Sequence, residues 1–218
     1  ADEVSDGTLR NFCLNDDADI ISYADAGLTG SPAANRRMYF DGVDDYVALS
    51  ENIDITNTWD ITFKIVLTGD GGRAITNTAY QGIIVNKFSI VFRDTSPTNT
   101  ILASGLSLDD GVCHTLRLVN VNKSISTFVD GNEVGTAVSV GPSPQINRIG
   151  GHSTILFDGS VISDVTIDVG NTGAVDHSYQ GYGNTNADWE DQIGSNDGTV
   201  NGSPALFTGQ GFDGFVTQ

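Results

Sequence analysis

Between residues 46 and 168 the apolar side chains recur at every second position in short runs, each closed by Gly, Pro, Asn or Asp. Trp59-Asp60-Ile61-Thr62-Phe63-Lys64-Ile65-Val66-Leu67 shows the pattern most fully. Ile61, Phe63, Ile65 and Leu67 fall on one side, Thr62, Lys64 and Val66 on the other. Period two places alternate residues on opposite faces of a strand, so this segment reads as a half-buried strand. Gly69-Asp70-Gly71-Gly72 is then expected to force a turn. Further runs follow at residues 46–49, 82–86, 88–92, 101–103, 114–121, 125–129, 133–138, 145–149 and 161–168, and Asp130-Gly131 marks a hairpin. Pro32, Pro97, Pro142, Pro144 and Pro204 all lie between runs, where they cost no ladder hydrogen bonds. Half-buried strands must cover one another's apolar faces. The fold class is therefore all-β, a two-sheet antiparallel sandwich or jelly roll.

The chain is long enough for one such domain. At 218 residues, folding hides about 70% of the unfolded surface, so the core needs no metal or disulfide to form. The whole of 1–218 reads as one domain, with the regular pattern over about 36–170 and a Gly/Asn-rich extension over 171–218. No apolar run approaches the ~18 residues of a spanning helix, so no membrane span is expected. With 10 Lys+Arg against 28 Asp+Glu the net charge is −18, which disfavours nucleic-acid binding. Cys13 and Cys113 lie outside any CxxC or CxxH spacing, which argues against zinc; whether they pair stays open. The opening Ala-Asp-Glu-Val has neither the charged nor the apolar region of a signal peptide. It fits both a processed secreted chain and one that lost only its initiator Met.

Four ordered segments resemble laminin-G-like domains of the concanavalin A-like lectin/glucanase superfamily. They are Met38-Tyr39-Phe40-Asp41-Gly42-Val43-Asp44-Asp45-Tyr46-Val47-Ala48-Leu49, Asp110-Gly111-Val112-Cys113-His114-Thr115-Leu116-Arg117-Leu118, Phe128-Val129-Asp130-Gly131-Asn132-Glu133 and Phe157-Asp158-Gly159-Ser160-Val161-Ile162-Ser163-Asp164-Val165. Trp189-Glu190-Asp191 with Gly194–Pro204 is similar to the lead-in that usually precedes such domains, here placed last. This tail also resembles those of structural proteins of tailed bacteriophages. The resemblance implies a concave face or loop rim that binds glycans or proteins, often with calcium.

Candidate chemistry follows. Asp41, Asp44 and Asp45 form an oxygen-rich turn suited to calcium, and Asx hydrogen bonds that cap the turn are an equally open reading. Tyr179, Tyr182 and Trp189 stand in polar surroundings, as contacts to a sugar, to the sandwich or to another subunit. Trp59 is expected in the core, and His114 in a structural hydrogen bond. Catalysis is disfavoured: the chain has four Glu, none in a Glu-x-Asp-x-x-Glu strand, and no nucleophile motif accompanies His114, His152 or His177.

The expected function is a non-catalytic binding or adhesion module for a glycan or cell-surface component, extracellular or on a virion surface. A virion structural or decoration protein is the alternative, with virion proteins as partners, and a glycan-active enzyme is a distant third. Gly30-Ser31-Pro32-Ala33…Phe40-Asp41-Gly42 is echoed by Gly202-Ser203-Pro204-Ala205…Phe212-Asp213-Gly214 at a constant offset. This suggests either that both ends edge one sheet, or that residues 189–214 reach a neighbouring subunit to form a homo-oligomer.

Overall fold

A computed structural model describes residues 36–96, 98–152 and 155–208. Among them the regular elements are fifteen strands and a short 3-10 helix, Asn186–Trp189. Cys13, the acidic stretch Asp16–Asp19, and the Gly30–Ala33 and Phe212–Gly214 parts of the echo lie outside the described residues.

The architecture turns on β3 (Trp59–Thr76), a strand of 18 residues. Its first part, Trp59–Ile65, pairs with β7 (His114–Val121), which continues to β8 (Ser124–Val129) and β9 (Asn132–Ser139). On its other side lies β12 (Ile155–Val169), followed by β1 (Arg36–Asp41) and β15 (Ala205–Thr208), with β13 (His177–Tyr179) also on β12. The last part of β3, Gly71–Thr76, belongs to a second sheet. There it pairs with β4 (Gly82–Asn86), then β5 (Ser89–Arg93) and β6 (Asn99–Ser104). Its other neighbour is β10 (Gln145–Ile149), followed by β2 (Tyr46–Asp54) and β14 (Gly198–Asn201). β11 (Gly151–His152) makes a short pairing with β12.

The expected turn at Gly69–Gly72 is thus corrected: the strand runs through it and changes sheets there. The glycines still explain the feature. Gly71 has φ +79°, and a Cβ there would sit 2.2 Å from the Val85 carbonyl oxygen. The backbone bends at that point because nothing projects from it, and one strand serves both sheets.

The inner faces close on a common core. Ile61, Phe63, Ile65 and Leu67 are fully buried, as their alternation predicts, and Trp59 meets Phe92 of the second sheet with ring centroids 5.8 Å apart. Each fully buried aliphatic or aromatic side chain contributes about 1.5–3 kcal/mol relative to exposure. Val66, assigned by alternation to the outer face, is buried as well, beside Val161 and Phe207 of β15. Cys113 packs against this second cluster and is disulfide-bonded; Cys13 is the other cysteine of the sequence.

His114 makes the structural contacts expected of it, with Nδ1 2.8 Å from Asp130 Oδ2 and Nε2 3.1 Å from Asp110 Oδ1. Asp130 Oδ1 also accepts the Thr115 N–H at 2.8 Å, so one carboxylate holds the β8–β9 turn against the start of β7. Asp130→Ala is expected to lower the unfolding free energy by about 1–2 kcal/mol in urea titrations, since a charge-assisted and a backbone bond are lost together. An unchanged midpoint would show the turn to be held by Gly131 alone.

Candidate functional site

Three places carry polar chemistry. The first is the turn from β1 into β2. Asp41 Oδ1 accepts the Val43 N–H at 2.7 Å, and Asp45 Oδ2 accepts the Asp41 N–H at 3.2 Å. The structure brings Asp41, Asp44 and Asp45 together, with a carboxylate oxygen of each within 4.8 Å of the others. Asp41 and Asp44 are exposed; Asp45 is 1% exposed. Burial, then the charges of Asp41 and Asp44 and a side-chain hydrogen bond with Asp41, outweigh the Asp41 N–H and push the Asp45 carboxyl up to about 6. Close hard-oxygen donors that resist joint ionisation fit a calcium-like cation. The C-terminal segment closes over this turn: the Ser203 N–H donates to Asp45 Oδ1 at 3.2 Å. Gly202 and Ser203 of the sequence echo therefore lie against Asp44 and Asp45, at the β2 end of this turn.

The aromatic residues singled out from sequence behave differently. Tyr179 and Trp189 are both 0% exposed, which corrects their assignment as sugar contacts and leaves the sandwich as their partner. Tyr179 donates its hydroxyl to the Asn196 carbonyl at 2.9 Å, and burial, aided by Asp191 and Asp197, pushes that phenol far above its ordinary range. Trp189 Nε1 donates to the Gly183 carbonyl at 3.1 Å, and its ring meets Phe40 edge-on at 6.3 Å. Tyr182 is half-buried, with the Arg37 guanidinium 4.0 Å above its ring and its hydroxyl donating to Asp164 at 2.5 Å. Residues 171–208 wrap the sandwich through these anchors. β14 and β15 pair with this chain's own β2 and β1.

The second place is a groove of about 410 Å³ whose lining includes Glu51, Asp54, Asp176, His177 and Asn196. His177 Nδ1 lies 2.7 Å from Asp191 Oδ2. Burial would raise the Asp191 carboxyl, but N–H groups of Ser178, Gly194 and Ile193 and the His177 ring outweigh it and hold it low. The pair fixes the imidazole at the groove wall.

The third place is the outer face of the second sheet, which sequence reading missed. Thr199, Ala48, Arg148, Thr76, Gly82, Arg93 and Asn99 are successive register partners across β14, β2, β10, β3, β4, β5 and β6. Directly opposed residues share a face. The neighbouring row, Val47, Ile149, Ile75, Ile83 and Phe92, is buried in the core, so the arginine row points away from it. Arg73, opposite Ile84, joins the same face, where its Nη1 donates to the Tyr80 carbonyl and its guanidinium lies 5.1 Å from the Tyr80 ring. Arg148 lies 4.2 Å above the Tyr46 ring, and Arg93 Nη1 donates to Asn99 Oδ1 at 3.5 Å. Tyr80 has φ +65°, a left-handed backbone that holds its ring at this edge. Between Arg148 and Arg93 the row is occupied by the small residues Thr76 and Gly82, both buried, and Ala48 follows on the far side of Arg148.

No family model matches the chain, and no curated protein matches it. Solved structures do. A putative carbohydrate binding protein from Bacteroides ovatus is 12% identical, with a TM-score of 0.55 over 84% of this chain and 62% of that one. Domains LG4-5 of the mouse laminin alpha1 chain are 18% identical, with a TM-score of 0.48 over 61% of this chain and 40% of theirs. A heptameric SAP-like pentraxin from Limulus polyphemus is 10% identical, with a TM-score of 0.47 over 63% and 77%. The chain thus spans less than two thirds of the laminin and Bacteroides chains. The likeness to the Bacteroides structure shows the fold, an antiparallel jelly-roll sandwich. Among the described residues no helix is long and apolar enough to cross a membrane.

Proposed function

We propose that this chain is a non-catalytic glycan-binding module whose binding surface is the outer face of the second sheet. The observation that carries the reading is the arginine row itself: side-chain donors and tyrosines stand among small residues along one face of the sheet. Sugar hydroxyls need directional partners of that kind. The putative carbohydrate binding protein from Bacteroides ovatus, which shares the fold over most of this chain, supports the same class of ligand. Calcium at Asp41, Asp44 and Asp45 is part of the proposal. The cation would bind the β1–β2 turn next to Tyr46, and so firm one edge of the platform. The disulfide at Cys113 supports an extracellular setting.

The test is a glycan array probed with the whole chain, in calcium and in chelator, beside the variant Ala48→Trp. Ala48 faces outward in the row beside Arg148, so a bulky ring there crowds that end of the face. Selective binding by the native chain, weakened about tenfold or more in the variant at equal folding, is expected. An array blank for the native chain in both conditions would end the glycan reading. Undiminished binding by Ala48→Trp would move it off this face, with the His177 groove next in line.

A further inference from the structure

We propose that the ligand of this face is an anionic saccharide, carrying carboxylate or sulfate groups at more than one position; this rests on the glycan-binding reading above. The argument starts from donors without acceptors. Arg73 is 7% exposed, and its Nε has no hydrogen-bond partner. The Nε of Arg93, and both Nε and Nη1 of Arg148, are likewise buried and unpartnered. A buried donor left unsatisfied is costly, more so when charged, and native structures rarely keep several in one place without a reason.

The shortage is not one of acids. The chain holds 28 Asp+Glu against 10 Lys+Arg, yet no ion pair among the described residues reaches any of these three arginines. Lys64, Lys87 and Arg117 each have an Asp partner. The row itself holds no carboxylate, and two cations of the face crowd each other: burial, then the Arg93 charge, lowers the Arg73 guanidinium from its ordinary range. A bound anion answers both problems, accepting the idle N–H groups and offsetting the repulsion. Guanidinium forks match carboxylate and sulfate oxygens in pairs.

Geometry sets the ligand's size. Arg148 and Arg93 stand three strand spacings apart, about 14 Å, with Arg73 beside the span. One small anion cannot reach both ends, whereas a saccharide with repeated charges can, bridging the arginines across Thr76 and Gly82. A side chain at Gly82 is excluded, since a Cβ there would meet the Ile75 carbonyl oxygen at 2.3 Å.

Calorimetry on the whole chain tests this with three tetrasaccharides: a uronate, a sulfated one, and the carboxyl-reduced neutral form of the first. At least one acidic form is expected to bind about tenfold or more tightly than the neutral form, and the two acidic arms identify the anion. Arg93→Gln/Arg148→Gln, both partly exposed positions, should erase that preference. Arg117→Gln, on the other sheet and paired with Asp60, should leave it intact. Equal affinity for acidic and neutral forms would overturn the proposal while leaving the glycan reading standing. An acidic preference that survives in the double variant would overturn the assignment to this face. No binding to any of the three overturns the proposal; the glycan reading then rests on the array.

Discussion

Trp189→Ala is expected to lower the unfolding free energy by about 3–5 kcal/mol, a loss that urea or thermal unfolding would read directly. The residue sits in a short 3-10 helix within a stretch of Gly, Asn, Asp and Ser, where sequence alone suggests an exposed ring. The structure places it at 0% exposure, edge-on to Phe40 at 6.3 Å, and Phe40 in turn meets Phe157 at 6.3 Å. Truncation removes the ring from this aromatic chain, leaves a cavity, and strips the Gly183 carbonyl of its donor. The wrap of residues 171–208 depends on that plug, because Trp189 and Tyr179 are its two fully buried aromatic anchors among the described residues. Glycan affinity per folded molecule should be unchanged, since the ring is closed to ligand. A variant as stable as the native chain but unable to bind would restore Trp189 as a contact residue.

Why the sequence misplaced Trp189 yet located the Asp cluster is a matter of range. Asp41, Asp44 and Asp45 are local: five residues of turn bring their carboxylates together whatever the rest of the chain does. The alternating strands are local too, and β4, β7 and β10 match their sequence-read bounds. β13, β14 and β15 were not legible, because strands of three or four residues show too few alternations to declare a period. They are defined by the sheet edges that receive them. The arginine row is the extreme case. Arg73, Arg93 and Arg148 come from β3, β5 and β10 and become one surface only through the register that aligns Arg148, Thr76, Gly82 and Arg93. Each looks alone like a cation at the polar phase of a strand. Only the shared row, with the absence of acidic residues from it, separates a binding face from a solvated one.

The Asp cluster yields a prediction whose sign is unusual for carboxylates. In chelator, stability is expected to fall as pH rises from about 4 to above 6, by on the order of 2–3 kcal/mol. Asp45 titrates near 3.9 in the unfolded chain and at about 6 in the folded one. Between those values the folded state holds more protons, so its stability is complete below the unfolded pKa and lost through the folded one. Asp94 and Asp191 act oppositely: burial would raise both, but hydrogen bonds, led by the Ser96 hydroxyl on Asp94 and the Ser178 N–H on Asp191, hold them low, so their contribution is present above the unfolded pKa and disappears as pH falls below about 4. The windows are therefore separate, and the difference between native chain and Asp45→Asn isolates the cluster. Because Asp41 and Asp44 sit beside Asp45, the observed midpoint belongs to the group rather than to one residue. A divalent cation replaces the proton and needs the ionised form, so calcium should restore stability at neutral pH and hardly act at pH 4. At a hundredfold excess over its dissociation constant the gain is about 2.7 kcal/mol, and Asp45→Asn should abolish most of it. A slope of the opposite sign would mean that Asp45 is ionised throughout. The predicted slope without any calcium response at neutral pH would make the cluster a proton-sharing cap on the β1–β2 turn, and the glycan face would then have to hold its edge through Ser203 and Tyr46 alone.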